Sequence, residues 1–582
     1  MTCGVASGDT SHNYQDSCYA LRFRIVRPCR RQAVRPSTGG TSVAELLIED
    51  AFIVTMDQEG TIIPNGYVRV SGDCITEVGE GKAPAAIRAG RDRDGAGCIG
   101  SSGHVVPKMP QDRELPAGQH QEVEVLAGQG MLVMPGLINS HMHSYASLIK
   151  GMAENTPLEV WMLHSMAAGA GMSREDVYVS ALLGCIEMIR TGTTCCVDHI
   201  NQDIARIESA VKAYSAAGLR AFLTPMISDK AYFESLPYQL EPVPCSVLDE
   251  TAGTRHMSAE EAAALNEEAI RRWNGCFNDR IRIMVGPSGP QRCSDKLLEM
   301  CGELSERYGV GFHTHLLETK TQWVTAQQFY GTSMVRHLRD LGLVSERSSF
   351  AHSVWLTPED IDMIAKGRAT IVHNASSNLI LGSGLAPIAC AMDAGVNIAI
   401  GTDGPNCGAN LSMFESMKLA AMLHKSLGLD ETLWPSAAAV LRMATAGGAR
   451  AVLASDRIGS IEKGKKADLV FLTRSTPFLA PLNDPVRQLV YGENGSSVRT
   501  VIVGGEVLMK DGKIECLDER AILTEARARA PHLAERMEDY MRSHRHLREY
   551  AHRVCTTALG RRIGFSRFLV DRQGDDPFMT ES

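Results

Sequence analysis

Two histidines one residue apart, His141-Met-His143, end an apolar run that passes through Pro135-Gly136. On a strand, side chains alternate with period two, so both imidazoles share a face. Two rings so placed can share a metal ion at about 2.0–2.1 Å each. His544-Arg-His546 has the same spacing in a charged, helix-like segment, where the rings cannot share a face in that way. Further along, His315-Leu-Leu-Glu318 supplies a third imidazole and an acid, His352 falls in another apolar run, and Asp403 closes Ile400-Gly-Thr-Asp-Gly404. Each has a plainer reading when taken alone: a satisfied core histidine, a surface glutamate, an aspartate capping the next helix. Together, His141, His143, His315 and Asp403 make a nitrogen and oxygen ligand set. That set suits one divalent cation, zinc before iron, with a position left for water. Such an ion lowers the pKa of bound water to about 7 and makes it a nucleophile at neutral pH.

The elements that must position these groups are short apolar runs alternating with helical segments. The runs are Met131–His143, Thr193–His199, Arg220–Ile227, Arg280–Gly289, Gly309–Glu318, Ser348–Leu356, Ala369–Ser376 and Asn397–Gly404. Ser173-Arg-Glu-Asp176 and Thr357-Pro-Glu-Asp360 read as capping boxes with Asp in place of Glu or Gln, the second with Pro at the first helical position. Eight buried strands alternating with helices predict an α/β fold, a (β/α)8 TIM barrel, over residues 131–455. In such a barrel functional side chains lie at the strands' C-terminal ends. His141, His143, Asp198, His199, His315, Glu318, His352 and Asp403 all fall there. The fourth run holds no lysine that could be carbamylated to bridge two ions, so one metal per chain is expected.

Around the barrel, Leu46–Asp57, Gly66–Val78 and Gln121–Met134 read as strands, with 79–120 a loop-like insertion. Ala467–Leu472 and Arg499–Val507 return to strand character. The early strands alone would leave an apolar face uncovered. Residues 43–130 and 456–515 are therefore expected to form one small composite β-sandwich domain with segments on both sides of the barrel. Residues 516–582 read as helices followed by a polar tail, and 1–42 as a disordered extension. Arg22, Arg24, Arg27, Arg30, Arg31 and Arg35 also allow a transit-peptide reading of that extension.

The chain has 582 residues, 44% hydrophobic and 22% charged, and a formal net charge of −9, which offers no basic field for nucleic acid or anionic membrane. No apolar run is long enough to span a bilayer. Sixteen cysteines are scattered, several inside apolar runs, and a reducing, cytoplasmic setting is expected.

Five motifs in order carry a family resemblance. They are Val133-Met-Pro-Gly-Leu-Ile-Asn-Ser-His-Met-His143, Phe312-His-Thr-His-Leu-Leu-Glu-Thr319, Ala351-His-Ser-Val354, His373-Asn-Ala-Ser-Ser-Asn378 with Leu381-Gly-Ser-Gly384, and Gly401-Thr-Asp-Gly404. Between about Val43 and Asp511 the chain resembles the amidohydrolase superfamily, in the branch of guanine deaminase, methylthioadenosine/S-adenosylhomocysteine deaminase and the triazine hydrolases. The resemblance implies that His141, His143, His315 and Asp403 hold the metal. It further implies that Asp403 takes a proton from the attacking water, Glu318 shuttles a proton to the ring and leaving group, and His352 orients the water or the developing oxyanion. Both carboxylates should then have pKa values moved by burial and the cation. Two departures stand out. Where the methylthioadenosine branch has Gly-Pro-His, this chain reads Gly286-Pro-Ser288, which puts an adenosine-type substrate in doubt. Where relatives have His-Cys-Pro or His-Asn-Pro, it reads His373-Asn-Ala375.

Trp161, His199, Ser288 and Gln291 lie at expected rim loops and are candidates to contact a flat heterocycle; core packing and backbone bonding are the plainer readings. The expected reaction is hydrolytic deamination of an aminated purine, pyrimidine, pterin or triazine. Dechlorination or N-dealkylation of a triazine at the same site is the alternative. Cyclic-amide hydrolysis is disfavoured by the missing bridging lysine, and an inactive scaffold by the intact ligand set. A homo-oligomer is expected by analogy alone.

Overall fold

The computed structural model describes residues 45–88, 123–252, 256–408, 410–426 and 430–569. The extension read for 1–42, most of the 79–120 insertion and the end of the polar tail lie outside the described residues.

The described residues open with a strand-rich segment: β1 (Glu45–Val54), β2 (Ile62–Ser71), β3 (Cys74–Glu80), β4 (Val123–Ala127) and β5 (Met131–Pro135). Two four-stranded, all-parallel sheets follow. The first is β6 (Leu137–Met142), β7 (Thr193–Asn201), β8 (Arg220–Met226) and β9 (Ile281–Ile283). The second is β10 (Phe312–Leu316), β11 (Ser348–His352), β12 (Thr370–His373) and β13 (Asn397–Ile400). Nearly every residue of these strands is buried, as expected for parallel strands covered on both faces. Backbone hydrogen bonds also join the two sheets at both outer edges. His313 donates to the Val285 carbonyl (2.8 Å) at one seam, and Asp403 to the His141 carbonyl (2.9 Å) at the other.

The connecting helices start as their sequences require. Ser173 and Thr357 each close a capping box with Asp176 and Asp360, and Pro358 takes the first helical position.

After the parallel sheets come β14 (Leu469–Thr473), β15 (Val498–Val503), β16 (Glu506–Lys510) and β17 (Lys513–Ile514). Among the described residues these join the opening strands in a single sheet of nine, because β14 pairs antiparallel with β5, Leu469 opposite Pro135. Segments from both sides of the parallel sheets are thus hydrogen-bonded together.

One expected strand is two. The run Met131–His143 breaks at Gly136, leaving β5 in the nine-stranded sheet and β6 in the parallel one. The break is steric: a Cβ on Gly136 would lie 1.9 Å from Thr194 Oγ1, so only glycine lets the chain cross between sheets here. At the C-terminal end, helices Glu519–Ser543 and Arg545–Leu559 meet at His544. They dock on the helices that flank the first parallel strands: Arg536 donates to the Gly171 carbonyl (3.0 Å) and Arg529 pairs with Asp176 (2.8 Å).

Eleven described cysteines form no disulfide and are mostly buried, while Cys74 is disulfide-bonded. No helix among the described residues is long and apolar enough to cross a membrane.

Candidate active site

At the C-terminal ends of the parallel strands His141, His143, His315, His352, Glu318 and Asp403 converge, all buried except His315, which is partly so. Three residues of this rim, Leu317, His352 and Asp403, have φ of +45°, +69° and +64°. Non-glycine residues rarely hold that conformation, and backbone strain of this kind gathers at functional sites. In Asp403 it is held by the N–H bond to the His141 carbonyl (2.9 Å) and by Gly404 N–H donating to the carboxylate (2.6 Å).

Asp403 Oδ1 lies 3.2 Å from His143 Nε2 and 3.7 Å from His141 Nε2, and Oδ2 lies 3.8 Å from His352 Nε2. His143 and His315 bring their Nε2 atoms to 3.4 Å of each other. His352 Nε2 is 3.5 Å from Glu318 Oε2. The ligand atoms of His141, His143 and Asp403 all fall within 4.8 Å of one another, as do those of His141, His315 and His352.

What aims these nitrogens is the opposite side of each ring. His143 Nδ1 donates to the His199 carbonyl (2.6 Å) and His315 Nδ1 to the Ser288 carbonyl (2.5 Å). A carbonyl only accepts, so the proton sits on Nδ1 and the Nε2 lone pair points into the cluster. His141 is held differently. Its Nδ1 meets His313 Nε2 (2.8 Å), His313 Nδ1 meets Ser349 Oγ (2.8 Å), and that hydroxyl donates to the Phe312 carbonyl (3.4 Å). Read from the terminal carbonyl inward, the chain of donors leaves His141 Nε2 unprotonated. That Nε2 is buried and has no hydrogen-bond partner. A buried polar atom without a partner, facing three other convergent ligands, fits a divalent cation. His352 is turned by Asn378, whose Oδ1 accepts from its Nδ1 (2.9 Å).

The electrostatics separate the two carboxylates. Burial would raise the Asp403 pKa, but the hydrogen bond and charge of His143 hold the carboxyl well below the usual range. Glu318 moves the other way: burial, then the charges of Asp403 and Glu159, push it well above the ordinary glutamate value. Two carboxylates driven apart by their surroundings are what acid and base roles require. His141 and His315 are kept neutral by burial and by the neighbouring histidines, and His313 is pushed down to about 3. For His143 burial opposes protonation, yet Asp403 more than offsets it and raises the pKa.

A cavity of about 300 Å³ opens onto the cluster, and His143, His315, Glu318, His352 and Asp403 line its reactive end. His141 lies deeper. Of the candidate contact residues, Trp161, Ser288 and Gln291 line the cavity. His199 does not: its Nε2 faces the Gly286 carbonyl (3.2 Å), and its contribution is the main-chain anchor for His143. Asp198 is likewise structural, accepting from Ser144 N (2.8 Å) and Tyr214 hydroxyl (3.0 Å).

Sequence reasoning passed over His313, Asn378, Arg292 and Glu159. For His313 the signal was present, since His313-Thr-His315 repeats the spacing of His141-Met-His143. Glu159 is buried, bonds Thr319 Oγ1 and Cys555 Sγ, and has its pKa raised by burial; nothing in its local sequence marks it.

The model of the amidohydrolase family matches residues 132–508. A 5′-deoxyadenosine deaminase of Methanosarcina mazei is 33% identical over 496 residues, covering 85% of this chain and 100% of that protein. A 5-methylthioadenosine/S-adenosylhomocysteine deaminase of Caldanaerobacter subterraneus is 36% identical over 496 residues, covering 84% and 98%. Among solved structures, an adenosine deaminase from Xanthomonas campestris with bound zinc superposes with a TM-score of 0.70 at 27% identity, covering 85% of this chain and 99% of that one. An atrazine chlorohydrolase of Arthrobacter aurescens, complexed with zinc, shares the fold (TM-score 0.69, 22% identity, 84% and 100% covered). With the convergent ligands at the rim, these likenesses define the class: a metal-dependent hydrolase acting on carbon–nitrogen bonds. The chain belongs to the amidohydrolase family.

Proposed function

We propose that the chain hydrolytically deaminates an aminated nitrogen heterocycle, consuming one water, releasing one ammonia and leaving a keto group on the attacked ring carbon. The observation that carries this reading is the convergence of His141, His143, His315 and Asp403 beside a separately tuned Glu318 at the end of a cavity. The relatives named as deaminases of adenosine derivatives support it and direct attention first to purine nucleosides, with Ser288 in place of the branch's histidine the main point against them.

His141, His143, His315 and Asp403 would hold one zinc, or else iron. A cation there acidifies bound water toward a pKa of about 7. Asp403, kept ionised, takes a proton from the attacking water. Glu318, kept protonated, gives its proton to the ring nitrogen, then takes the remaining hydroxyl proton from the attacked carbon's oxygen and passes it to the departing amine, and the proton held by Asp403 restores it, in the manner of general acid–base catalysis. His352, fixed by Asn378, stands between the two carboxylates and orients the water and the oxygen on the attacked carbon. Trp161, Ser288 and Gln291 would contact the heterocycle from the cavity wall.

The architecture belonging to this reading is a closed (β/α)8 barrel whose first strand is β6, supported by the hydrogen bonds at both seams, beside a composite β-domain built on the nine-stranded sheet that β5 joins. Elemental analysis combined with a screen for ammonia release across aminated purines, pyrimidines, pterins and triazines tests the function. About one zinc or iron per chain with ammonia released is expected. Metal with chloride or alkylamine as the only product replaces deamination with the triazine reaction, and no metal after reconstitution overturns the site.

A further inference from the structure

We propose that Arg292 recognises an anionic oxygen group on the substrate, and that the substrate is a compact aminated heterocycle carrying that group on or next to its ring. The inference rests on the deaminase reading for the reaction but not for the recognition. Arg292 closes the single turn Pro290–Arg292, which follows Ser288, so one loop presents Ser288, Gln291 and Arg292 to the cavity. Its Nε is buried and has no hydrogen-bond partner, and among the described residues it forms no ion pair. The groups whose charges act on it are Cys293, Tyr232 and Tyr145, with no aspartate or glutamate among them.

Arg292 is half-buried with its Nε fully so, and a guanidinium drawn that far from solvent without a counter-ion is costly, since arginine cannot escape the cost by losing its proton. Elsewhere this chain meets that cost with a carboxylate: the buried Arg220 is clamped by both oxygens of Asp468 at 2.9 and 3.0 Å. Arg292 is pushed down by burial and keeps no such partner. The missing acceptor therefore comes from what fills the cavity. The neighbouring Trp161 Nε1 and Gln291 Oε1 are also buried and unpartnered, so the same wall offers a second donor and one acceptor. A planar carboxylate meets the guanidinium fork with two parallel hydrogen bonds, one to each oxygen. The cavity of about 300 Å³ is at the low end for small-molecule sites, which places the anionic group near the ring rather than on a long tail.

The test compares matched probes on the zinc-loaded full chain by calorimetry: 5-carboxycytosine against cytosine, and pterin-6-carboxylate against pterin. In wild type the acidic member of at least one pair should bind about tenfold or more tighter than its neutral partner. In Arg292→Gln that ratio should fall to about one. Arg292→Lys, which keeps the charge without the fork, should lie between. If Arg292→Gln fails to melt cooperatively, the wild-type and Arg292→Lys ratios decide the matter. Neutral members binding as tightly as acidic ones in wild type, or a ratio that survives in Arg292→Gln, overturns the inference. Ammonia is read in the same samples. A preference for acidic probes without ammonia release keeps the anion site and removes the deaminase reading; ammonia from neutral probes alone does the reverse.

Discussion

The histidines at the rim are aimed in two ways. His143 and His315 lean on main-chain carbonyls, those of His199 and Ser288, whereas His141 and His352 lean on side chains, His313 with Ser349 behind it and Asn378. A carbonyl anchor comes with the main chain, here of β7 at His199 and of the loop after β9 at Ser288, and survives a side-chain truncation of the residue that carries it. A side-chain anchor can be deleted by one mutation. The first pair is therefore fixed by the fold, and the second is where mutation can retune the cluster without touching a ligand.

Asp403 is shared by both pairs, so its loss should have the largest effect. Asp403→Asn is expected to lower turnover by about 10⁴-fold, the upper end for a positioned acid–base group, measured as product formed per chain. A fall of less than tenfold removes Asp403 from the centre. Glu318→Gln comes next, with a loss of about 10²–10⁴ in kcat. Here the metal content stays at the wild-type value, and a rate left unchanged would show that Glu318 moves no proton.

The next step separates the two anchoring modes. His313→Ala leaves His141 Nδ1 unpaired and should weaken metal retention by about 10- to 100-fold, read by competition with a chelator. Equal retention in His313→Ala and wild type would mean that the relay behind His141 positions nothing. Ser349→Ala trims only the end of that relay; the loss of about one hydrogen bond, roughly 1 kcal/mol, predicts a change near fivefold. Ser288→Ala is the smallest. The anchor of His315 is the carbonyl of that residue, so chelator competition should return the wild-type value, and any large loss there would erase the distinction between the pairs.

Most of the metal cluster was readable in the sequence because its ligands sit at the ends of apolar strands, where period-two alternation and the terminal position mark them together. His141, His143, His315 and Asp403 all carry that local mark. His313 carried half of it, the two-residue spacing from His315, but its partner His141 is 172 residues away and no local pattern announces the pair. Asn378 sits on a short helix after β12, and it matters only because His352 arrives there from β11. The break at Gly136 was hidden for a related reason. Two apolar strands joined by one glycine read as a single run, and the close approach of Thr194 that forces the crossing comes from another strand. His199 was legible as a rim residue yet not as an anchor, since main-chain contacts leave no trace in residue type.

By itself, then, the sequence determined the alternation of strands and helices, the caps that start Arg174–Arg190 and Pro358–Lys366, and the residue types able to hold a cation. These follow from interactions between near neighbours, which a linear pattern records. Only the tertiary structure decided which nitrogen of each imidazole is presented, which of two carboxylates is pushed up and which down in pKa, and that Arg292 faces the cavity without a counter-ion. Those depend on burial and on partners brought from distant strands, because the cost of a buried charge is set by what surrounds it in space and not by what precedes it in the chain.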